Sequence, residues 1–373
     1  MKNKIHNYDF LVAGAGLIGS LAALNLIHMG YKVLVIDKNI KKISDKITLA
    51  VNANSKDFLS NLGLWDQLIS KPQKIDKIVI KDSINKSPLI FENKEEEMGN
   101  VIMNSELLKA ARKFLLSKKI IIQLKDFEIS QIKSNQILIF NGKKYLFKNI
   151  ILSVGKKFSD EKIIKKISFP NNHHSYVGFF NHSLNHNQTA YEIFTSKGPL
   201  AVLPSPTKKN GSSTFIYSTK NKLSKNQILK LIEKHFHMSH GNIKLNKDIY
   251  KFEVSPHFSK ELNKDYILIG DILRSIHPVA GQGWNLGISD IQVLCKTLER
   301  YKIDDPKLIN NYYYQRSLQS MSYLSFTSLI NFLYENQNPI FNFFIKTVFI
   351  GLQRVNLLRQ TFIKQAMGRL NLI

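Results

Sequence analysis

The chain has 373 residues, of which 43% are hydrophobic, and 53 Lys and Arg residues against 28 Asp and Glu residues give it a formal net charge of +25. This length favours two closely joined domains, and a single cysteine, Cys295, excludes an intramolecular disulfide and a cysteine-based metal cluster. The charge favours anionic partners such as acidic lipid headgroups. We expect no nucleic-acid partner, because the lysines are spread out rather than clustered with aromatic residues.

The first segment predicts a strand, a glycine-rich turn, a helix and a second strand. The strands are predicted at residues 10–13 and 32–36 because both are short apolar runs, and the helix is predicted between them at 20–29. The turn carries the pattern G-x-G-x-x-G. In this order the elements predict a dinucleotide site, and the alternative is a simple glycine-rich turn without a ligand.

Each residue of this motif has a predicted role. Gly14 permits the tight turn, Gly16 lets the backbone approach a pyrophosphate, and Gly19 allows close packing of helix on strand. The phosphates would lie at the helix N-terminus. Asp37 ends the second strand, close to the spacing of about 20 residues that such sites show, and would accept hydrogen bonds from the adenosine ribose.

The next part of the chain alternates between helices and strands. Asn104 or Ser105 caps a helix with leucines at helical spacing, and Asn141-Gly142 predicts a hairpin turn. The predicted elements are a turn and helix within 48–65, strands within 71–98 with KIDKIVIKD as one strand, a helix at 104–117, strands within 120–147 and a strand at 149–155.

Residues 173–217 differ in character from what precedes them. They are rich in aromatic and β-branched residues with turn signals, which predicts antiparallel strands. The bounded strand at 198–204 is interpreted as the floor of a substrate chamber. The predicted pocket residues are Tyr191, Phe194, Pro199 and Leu200, although core aromatic residues need no functional explanation.

After a predicted helix at 225–237, the chain returns to the first domain with a strand from Tyr266, followed by Gly270-Asp271 and a glycine-rich loop that enters a helix. Such a loop suits a polyol and a flat ring held against main chain, which favours FAD over NAD. His277 lies in this loop, where it would polarise the substrate or a flavin atom, or only structure the loop. No spacing of ligands predicts a metal site.

Residues 305–373 predict helices that are unusually aromatic, with Pro339 dividing two apolar helices. Arg354, Arg359, Lys364 and Arg369 follow at roughly helical spacing. Two interpretations stay open. The helices cover the dinucleotide domain or form a dimer interface, or they form a membrane-surface element with an apolar face beside basic residues.

These elements predict an α/β fold, α+β overall. A Rossmann-like FAD-binding domain is discontinuous in sequence, an antiparallel-sheet substrate domain is inserted in it, and helices follow at the C-terminus. The predicted boundaries are 1–70, 98–165 and 250–300 for the FAD-binding domain, 71–97 and 166–249 for the substrate domain, and 301–373 for the helical region.

Three segments, residues 14–38, 188–204 and 270–290, resemble in this order the FAD-dependent aromatic-ring hydroxylases of ubiquinone biosynthesis. These enzymes belong to the para-hydroxybenzoate hydroxylase-like flavoprotein monooxygenases. The motifs GPLAVLP and HPVAGQGWNLG are typical of this branch, and the resemblance covers nearly the whole chain. It implies a monooxygenase that uses FAD, O2 and NADH or NADPH, and that hydroxylates the ring of a polyprenylated phenol through a flavin C4a-hydroperoxide.

The resemblance also implies which residues hold the cofactor. Those that would contact the ADP half are Gly14, Gly16, Gly19 and Asp37. Those that would contact the ribityl chain, the pyrophosphate or the flavin ring are Gly270, Asp271, Pro278, Gly281, Gln282, Gly283, Asn285 and Leu286.

At three positions the chain departs from the family pattern. Val154-Gly155 stands where the family has Asp-Gly, Phe158 where it has Ser, and Arg274 where it has His. The departures keep two alternatives open: a non-catalytic scaffold subunit of a quinone-biosynthesis assembly, and another FAD oxidoreductase that acts on prenyl substrates.

A polyprenylated substrate partitions into membranes, so we expect a cytoplasmic protein that docks at the inner membrane. Its expected partners are an anionic membrane surface, other quinone-biosynthesis proteins and a second copy of itself. The N-terminus shows no signal-peptide pattern, and no run of about 18 apolar residues predicts a spanning helix.

Overall fold

The computed structural model describes residues 4–40, 43, 47–93, 95–124, 127–169, 172–207, 211–262, 265–278 and 281–369. In this part of the chain, nineteen strands form four sheets, and eight α-helices pack on them. The strands are β1 Ile5–Ala13, β2 Val33–Asp37, β3 Thr48–Val51, β4 Gln73–Ile75, β5 Lys77–Asp82, β6 Leu89–Glu92, β7 Gly99–Met103, β8 Ile121–Gln123, β9 Ile137–Phe140, β10 Lys143–Leu152, β11 Ile164–Ser168, β12 His174–His182, β13 Thr189–Thr195, β14 Gly198–Pro204, β15 Ser212–Thr219, β16 Ile243–Glu253, β17 His257–Glu261, β18 Tyr266–Leu268 and β19 Arg274–Ser275.

The helices occur in two groups along the chain. The first five alternate with strands, and the last three follow one another directly. They are α1 Leu17–His28, α2 Ala53–Asn61, α3 Asn104–Ser117, α4 Lys225–His240, α5 Gly283–Arg300, α6 Pro306–Glu335, α7 Pro339–Arg354 and α8 Asn356–Ala366. The predicted helix at 104–117 and the predicted strand at 198–204 are confirmed with the same bounds. The predicted cap at Asn104 or Ser105 is wrong, because Met103 is the residue before the helix and no side chain caps its start.

The central sheet has the strand order β18-β10-β1-β2-β8, and all four pairings in that order are parallel. β9 joins its edge antiparallel to β10 through the turn at Asn141-Gly142, where φ is 51° and 69°. Positive φ at both turn residues is what a tight hairpin turn requires. Residues 10–13 of β1 are fully buried, as expected for a parallel strand in the middle of a sheet that is covered on both faces.

A second sheet of seven strands has the order β16-β12-β15-β14-β13-β5-β6. Its pairings are antiparallel except for β13 with β5. α4 packs on one face, while α6, α7 and α8 cover part of the other. Together the two large sheets confirm the α/β fold, with a parallel central sheet and an inserted, largely antiparallel sheet.

The prediction of one strand over residues 74–82 is wrong, because the chain changes sheets at Asp76. β4 pairs with β7 in a three-stranded sheet with β3, whereas β5 pairs with β13 and β6 in the large sheet. At the junction, the Asp76 N–H donates to the carbonyl of Gln188 at 2.9 Å. A single straight strand cannot hydrogen-bond to both partner sheets, so the backbone bends there.

Two tyrosines of α6 hydrogen-bond to the backbone of β18, the edge strand of the central sheet. The Tyr312 hydroxyl donates to the Leu268 carbonyl at 2.7 Å, and the Tyr313 hydroxyl donates to the Tyr266 carbonyl at 2.9 Å. The Leu268 N–H in turn donates to the Tyr313 hydroxyl at 2.9 Å. These bonds satisfy backbone groups of the edge strand β18 that have no further strand to pair with, so α6 covers the dinucleotide domain.

Removal of the Tyr313 hydroxyl is expected to destabilise the protein. Tyr313→Phe leaves one buried donor and one buried acceptor of β18 unpaired, so the free energy of unfolding falls by about 1–3 kcal/mol. Chemical denaturation measures this loss. The matched control is Tyr314→Phe on the same helix, which is 65% exposed and changes stability by less than about 0.5 kcal/mol. Equal losses in the two variants would contradict the edge-protection role.

Candidate functional site

A cavity of about 480 Å³ lies between the central sheet and the seven-stranded sheet. Its volume is in the range of small-molecule and cofactor sites. One wall comes from the dinucleotide side: the start of α1, strand β3, the loop after β10, and the segment from β18 to the start of α5. The opposite wall comes from β12, β14, β15 and β16 of the large sheet. The two predicted domains therefore meet at this cavity.

The glycine turn after β1 has the packing that the motif predicts. Gly14 has φ 105°, and a Cβ built there would lie 2.4 Å from the carbonyl oxygen of Ser153. A Cβ on Gly19 would lie 2.0 Å from the carbonyl oxygen of Gly14. Gly16 differs from both, since it lines the cavity and a Cβ there would meet nothing within 4 Å. Two glycines thus close the turn, and the third borders open space.

Two helix N-termini border the same cavity. α1 begins after Gly16 and α5 begins after Gln282, and neither start has a side-chain cap or an acidic residue in its first turn. Gly16 and Leu17 line the cavity at α1, and Gly283 lines it at α5. Uncapped N-termini present free N–H donors and a partial positive charge. This arrangement fits FAD, with its pyrophosphate at one helix and a carbonyl edge of the flavin ring at the other.

The predicted ribose ligand, Asp37, lies beside the glycine turn. Its Oδ2 accepts a hydrogen bond from the Ala15 N–H at 2.6 Å, and its Oδ1 accepts one from the Asn39 N–H at 2.7 Å. The two bonds fix the carboxylate at the carboxyl end of β2. Each oxygen keeps lone-pair capacity for a further donor such as a ribose hydroxyl. The contact with ribose stays a prediction.

The remaining predicted cofactor residues fall into two groups. Gly270, Asp271, Pro278, Gly281, Gly283 and Leu286 line the cavity. Asn285 instead ties α5 to the segment after β3: its Nδ2 donates to the Ala50 carbonyl at 2.9 Å, and its Oδ1 accepts from the Asn52 N–H at 3.2 Å. Through these two bonds Asn285 positions the start of α5. Gln282 is the residue before α5 and is not among the residues that line the cavity.

The structure places the predicted substrate residues away from the cavity. Tyr191 and Leu200 belong to the cluster under α4, on the opposite face of the large sheet. Phe194 is cross-strand partner to Pro199 and stacks on Tyr334 of α6, with ring centroids 4.7 Å apart. The large sheet instead lines the cavity with other residues, among them Ser175, Val177 and Ile216. Leu203 also lines it, and it belongs to the strand at 198–204 that was interpreted as the chamber floor.

Arg274, one of the departures from the family pattern, belongs to a buried ion network. Its Nη1 lies 2.7 Å from Oδ1 of Asp290, and Nε of Arg316 lies 2.7 Å from the same oxygen. The other oxygen of Asp290 accepts from the Gly270 N–H at 2.8 Å. The network joins α5, α6 and the Gly270 turn. Breaking such a buried pair is costly because it leaves an uncompensated charge.

Arg112 of α3 is a second residue that the sequence did not single out. Its Nε and Nη2 donate to the Ala15 carbonyl at 2.9 and 2.6 Å, and its Nη1 donates to the Ile40 carbonyl. The guanidinium thus holds the glycine turn in place through the carbonyl of Ala15, which lies between Gly14 and Gly16. Only its position in a predicted helix was visible in the sequence.

His277 is 1% exposed, and its ring faces another histidine rather than the cavity lining. Its Nε2 lies 3.0 Å from Nδ1 of His173. Burial, followed by the neighbouring His173, lowers the pKa of His277 to about 3, against the opposing effect of Glu335. His277 is therefore neutral at physiological pH.

The different surroundings of Gly16 and Gly19 predict different effects of alanine. Gly16 has φ −63°, so Gly16→Ala is compatible with the fold and costs less than about 1 kcal/mol of stability. Its methyl group enters the cavity, so the Kd for FAD rises about tenfold or more. Gly19→Ala forces backbone apart and lowers stability by about 3 kcal/mol. Thermal melting and FAD titration measure the two effects, and equal FAD affinity of Gly16→Ala and the unmodified protein would exclude the assigned role.

Comparison with known proteins is consistent with this geometry. Residues 7–111 match the family described as FAD binding domain. The chain is 25% identical to ubiquinone hydroxylase UbiM of Neisseria meningitidis over 78% of this chain and 68% of the relative. It is also 25% identical to ubiquinone hydroxylase UbiL of Rhodospirillum rubrum over 98% of this chain and 90% of the relative.

Solved structures share the fold over nearly all of the chain. The crystal structure of p-nitrophenol 4-monooxygenase PnpA from Pseudomonas putida DLL-E4 has a TM-score of 0.75 at 14% identity, covering 99% of this chain and 100% of that one. The flavin-dependent brominase Bmp2 has a TM-score of 0.72 at 11% identity, covering 97% and 94%. The chain is therefore similar over most of its length to proteins named ubiquinone hydroxylase, matches an FAD binding domain in residues 7–111, and shares its overall fold with solved flavin-dependent enzymes.

Proposed function

We propose that this protein is an FAD-dependent monooxygenase that hydroxylates the aromatic ring of a polyprenylated phenol in ubiquinone biosynthesis. The observation that carries the proposal is the cavity itself, which two uncapped helix N-termini border on one side and an apolar sheet face on the other. Relatives named ubiquinone hydroxylase, which align with most or nearly all of the chain, support the choice of reaction.

The dinucleotide side of the cavity would hold the cofactor. The N-terminus of α1 at Gly16 would bind the pyrophosphate, and Asp271 would bind the ribityl hydroxyls. Gly281 and Gly283 would let main chain lie against the ring edge, at the second helix N-terminus. FAD, once reduced, would activate O2, and one oxygen atom of that O2 would be transferred to the ring.

The large sheet would hold the phenol. Val177, Leu203 and Ile216 give that wall an apolar surface against which a flat ring can pack, and Ser175 adds a hydroxyl group. The Ser175 hydroxyl lies 2.8 Å from that of Ser218, so its orientation is set from within the sheet. An apolar wall excludes water from the reacting atoms, which protects a reactive oxygen species from wasteful decay.

Turnover requires a source of electrons, and NADH or NADPH is the proposed reductant. Gly155, in the segment where the family pattern is lost, lines the cavity with no neighbour within 4 Å of a Cβ position. Val154 and Phe158 pack against the core around the central sheet. Val154 and Phe158 therefore pack into the core, while Gly155 still borders open space in the cavity.

The proposed activity predicts that the purified, FAD-loaded protein transfers an oxygen atom from O2 to the product. Anaerobic NADH or NADPH should bleach the flavin absorbance, and re-oxidation under ¹⁸O2 with a prenylated phenol should give a product that carries one ¹⁸O atom. Mass spectrometry measures the label. Flavin that binds but is never reduced in the presence of any phenol would contradict monooxygenase activity and favour the scaffold alternative.

The helices α7 and α8 provide the proposed docking surface for a membrane. We call this surface, with its exposed side chains Ile340, Phe343, Phe344, Val348, Leu357 and Leu358, the α7–α8 surface. Residues 336–369 contain five basic residues and no Asp or Glu. Within the part of the chain that the structure describes, no helix is long and apolar enough to cross a membrane.

These features fit an anionic bilayer surface better than a second copy of the chain. Apolar side chains with basic neighbours are the features of an interfacial helix, which inserts its apolar face among lipid headgroups. A second copy would bring like charges together, because α7 and α8 themselves carry four basic residues, Lys346, Arg354, Arg359 and Lys364, and no acidic residue. Docking there would bring a lipid substrate to the protein at the cytoplasmic face of the inner membrane.

Two glutamates on this surface should abolish membrane binding. In a flotation assay, the unmodified protein is expected to rise with anionic vesicles at physiological salt, and Ile340→Glu/Phe343→Glu is expected to stay at the bottom. The two side chains are 77% and 73% exposed, so the fold should tolerate the change. Met238→Glu on α4, at a side chain 91% exposed, is the matched control and should float. If the unmodified protein does not float, the docking proposal is wrong.

A further inference from the structure

Three buried charged side chains form a cluster in the cavity wall, which we call the Arg-Asp-Arg cluster. Oδ1 of Asp290 lies 2.7 Å from Nη1 of Arg274 and 2.7 Å from Nε of Arg316. The Asp290 side chain is fully buried, and those of the two arginines are 2% exposed. Arg274 and Asp290 both line the cavity, so the cluster borders the proposed cofactor site directly.

The cluster carries a net charge of +1, because two guanidinium groups share one carboxylate. Arginine keeps its proton in proteins, and a carboxylate between two guanidinium groups stays ionised. The neighbouring hydrogen bonds are to neutral groups: Oδ2 of Asp290 accepts from the Gly270 N–H at 2.8 Å, and Nη2 of Arg274 donates to the Leu286 carbonyl at 2.8 Å. Since the cluster is buried, salt and water screen its surplus charge only weakly.

Two further acidic residues line the cavity, and neither cancels this charge. Glu253 is exposed, so solvent screens it. Asp271 is reached by solvent through the cavity but is otherwise surrounded by protein, which raises its pKa, and Lys156 opposes that shift more than His257 or Arg274 does. Lys156 also lines the cavity and is the main counter-charge of Asp271. The surplus charge of the cluster therefore remains in the wall.

Arg274 also keeps hydrogen-bond donors for a ligand. Its Nε and Nη1 are buried and have no aligned acceptor among the described residues, since the contact of Nη1 with Asp290 is an ion pair without hydrogen-bond geometry. A buried donor without an acceptor is costly unless a ligand supplies the acceptor. A guanidinium group in a cavity wall therefore favours a ligand that carries negative charge.

Two departures from the family pattern change the charge around the cavity in the same direction. Val154 stands where the family has Asp, so a negative charge is missing next to Gly155, which lines the cavity. Arg274 stands where the family has His, so a positive charge is added in the lining itself. The proposed flavin site is therefore more positive in this chain than the family pattern implies.

We propose that the Arg-Asp-Arg cluster makes the bound flavin easier to reduce, by stabilising the negative charge that the ring gains on reduction. The inference rests on the proposed function, because it requires FAD in the cavity. NADH or NADPH would deliver two electrons and one proton to the neutral ring and leave as the oxidised nicotinamide. The reduced ring then carries one negative charge. A buried positive charge nearby favours that form over the neutral one.

The place of the cluster in the fold supports this role. It contacts α5 at Leu286 and Asp290, within three turns of the helix start at Gly283, where the carbonyl edge of the flavin ring is proposed to lie. The positive helix N-terminus and the surplus charge of the cluster act on the same ligand in the same direction. Arg274 is thus proposed to set the flavin potential through its charge.

Removal of the Arg274 charge should lower the midpoint potential of the bound flavin. The measurement is an anaerobic redox titration of the FAD-loaded protein against a reference dye at about pH 8, without any phenol. We expect Arg274→Gln to reduce the equilibrium constant for two-electron reduction at least tenfold, which is about 30 mV. The variant leaves Asp290 paired with Arg316, so the buried carboxylate keeps a partner. Arg274→Lys keeps the positive charge and should restore most of the potential.

Two more variants complete the test. Arg369→Gln removes a positive charge from a side chain that is 38% exposed, and solvent screening should limit its effect to less than about twofold. It is the matched control for loss of one unit of charge. Arg274→His introduces the residue of the family pattern and should resemble Arg274→Gln at about pH 8, where a buried imidazole is neutral. It keeps the test decisive if Arg274→Gln fails to fold.

The outcomes separate this inference from the function on which it rests. If Arg274→Gln and Arg274→His bind FAD and keep the potential of the Arg369→Gln control, the inference is refuted while the monooxygenase proposal stands. If the unmodified protein binds no FAD, both are refuted. If Arg274→Lys loses as much potential as Arg274→Gln, the shape of the side chain rather than its charge sets the potential, which also refutes the inference. A merely structural role would lower the melting temperature without ordering the potentials by charge.

Discussion

At the carboxyl end of β1, two glycines bring three backbone segments into direct contact. Gly14 lies against the Ser153 carbonyl, and Gly19 lies against the carbonyl of Gly14, at distances that admit no Cβ. This contact fixes the start of α1 relative to the end of β10, and Arg112 holds the intervening turn through the Ala15 carbonyl. The N-terminus of α1 must therefore face the cavity, and everything that the site can bind depends on that direction.

A second set of polar contacts fixes the opposite side of the site. Asn285 ties the start of α5 to the segment after β3, and Asp290 ties its next turn to the Gly270 turn and to two arginines. The edge strand β18 is held by the tyrosines of α6. Two helix N-termini are thus held at fixed positions around one cavity by buried hydrogen bonds. Fixed donors are the form of electrostatic stabilisation that requires no rearrangement when a ligand binds.

The parts of this arrangement that sequence could predict are those that depend on local backbone. The glycine motif, the helix at 104–117 and the hairpin at Asn141-Gly142 each follow from residues near one another in the chain. The face of β14 could not be predicted, because all seven of its residues are buried and apolar alternation is absent. Leu203 therefore lines the cavity although Leu200 was expected there. Two networks of contacts join segments that are distant in sequence, so only the fold shows them. In one, Asp290 links Arg274 to Arg316. In the other, His173 links His277 to Glu335.

Every role assigned to the site depends on FAD binding in this cavity between two helix N-termini. The visible absorption spectrum of the purified protein, after incubation with FAD and exhaustive dialysis, measures this binding. We expect the absorption bands of bound flavin, with one FAD per chain. A colourless protein that retains its fold would contradict the claim, and with it the assignment of the cavity as a flavin site.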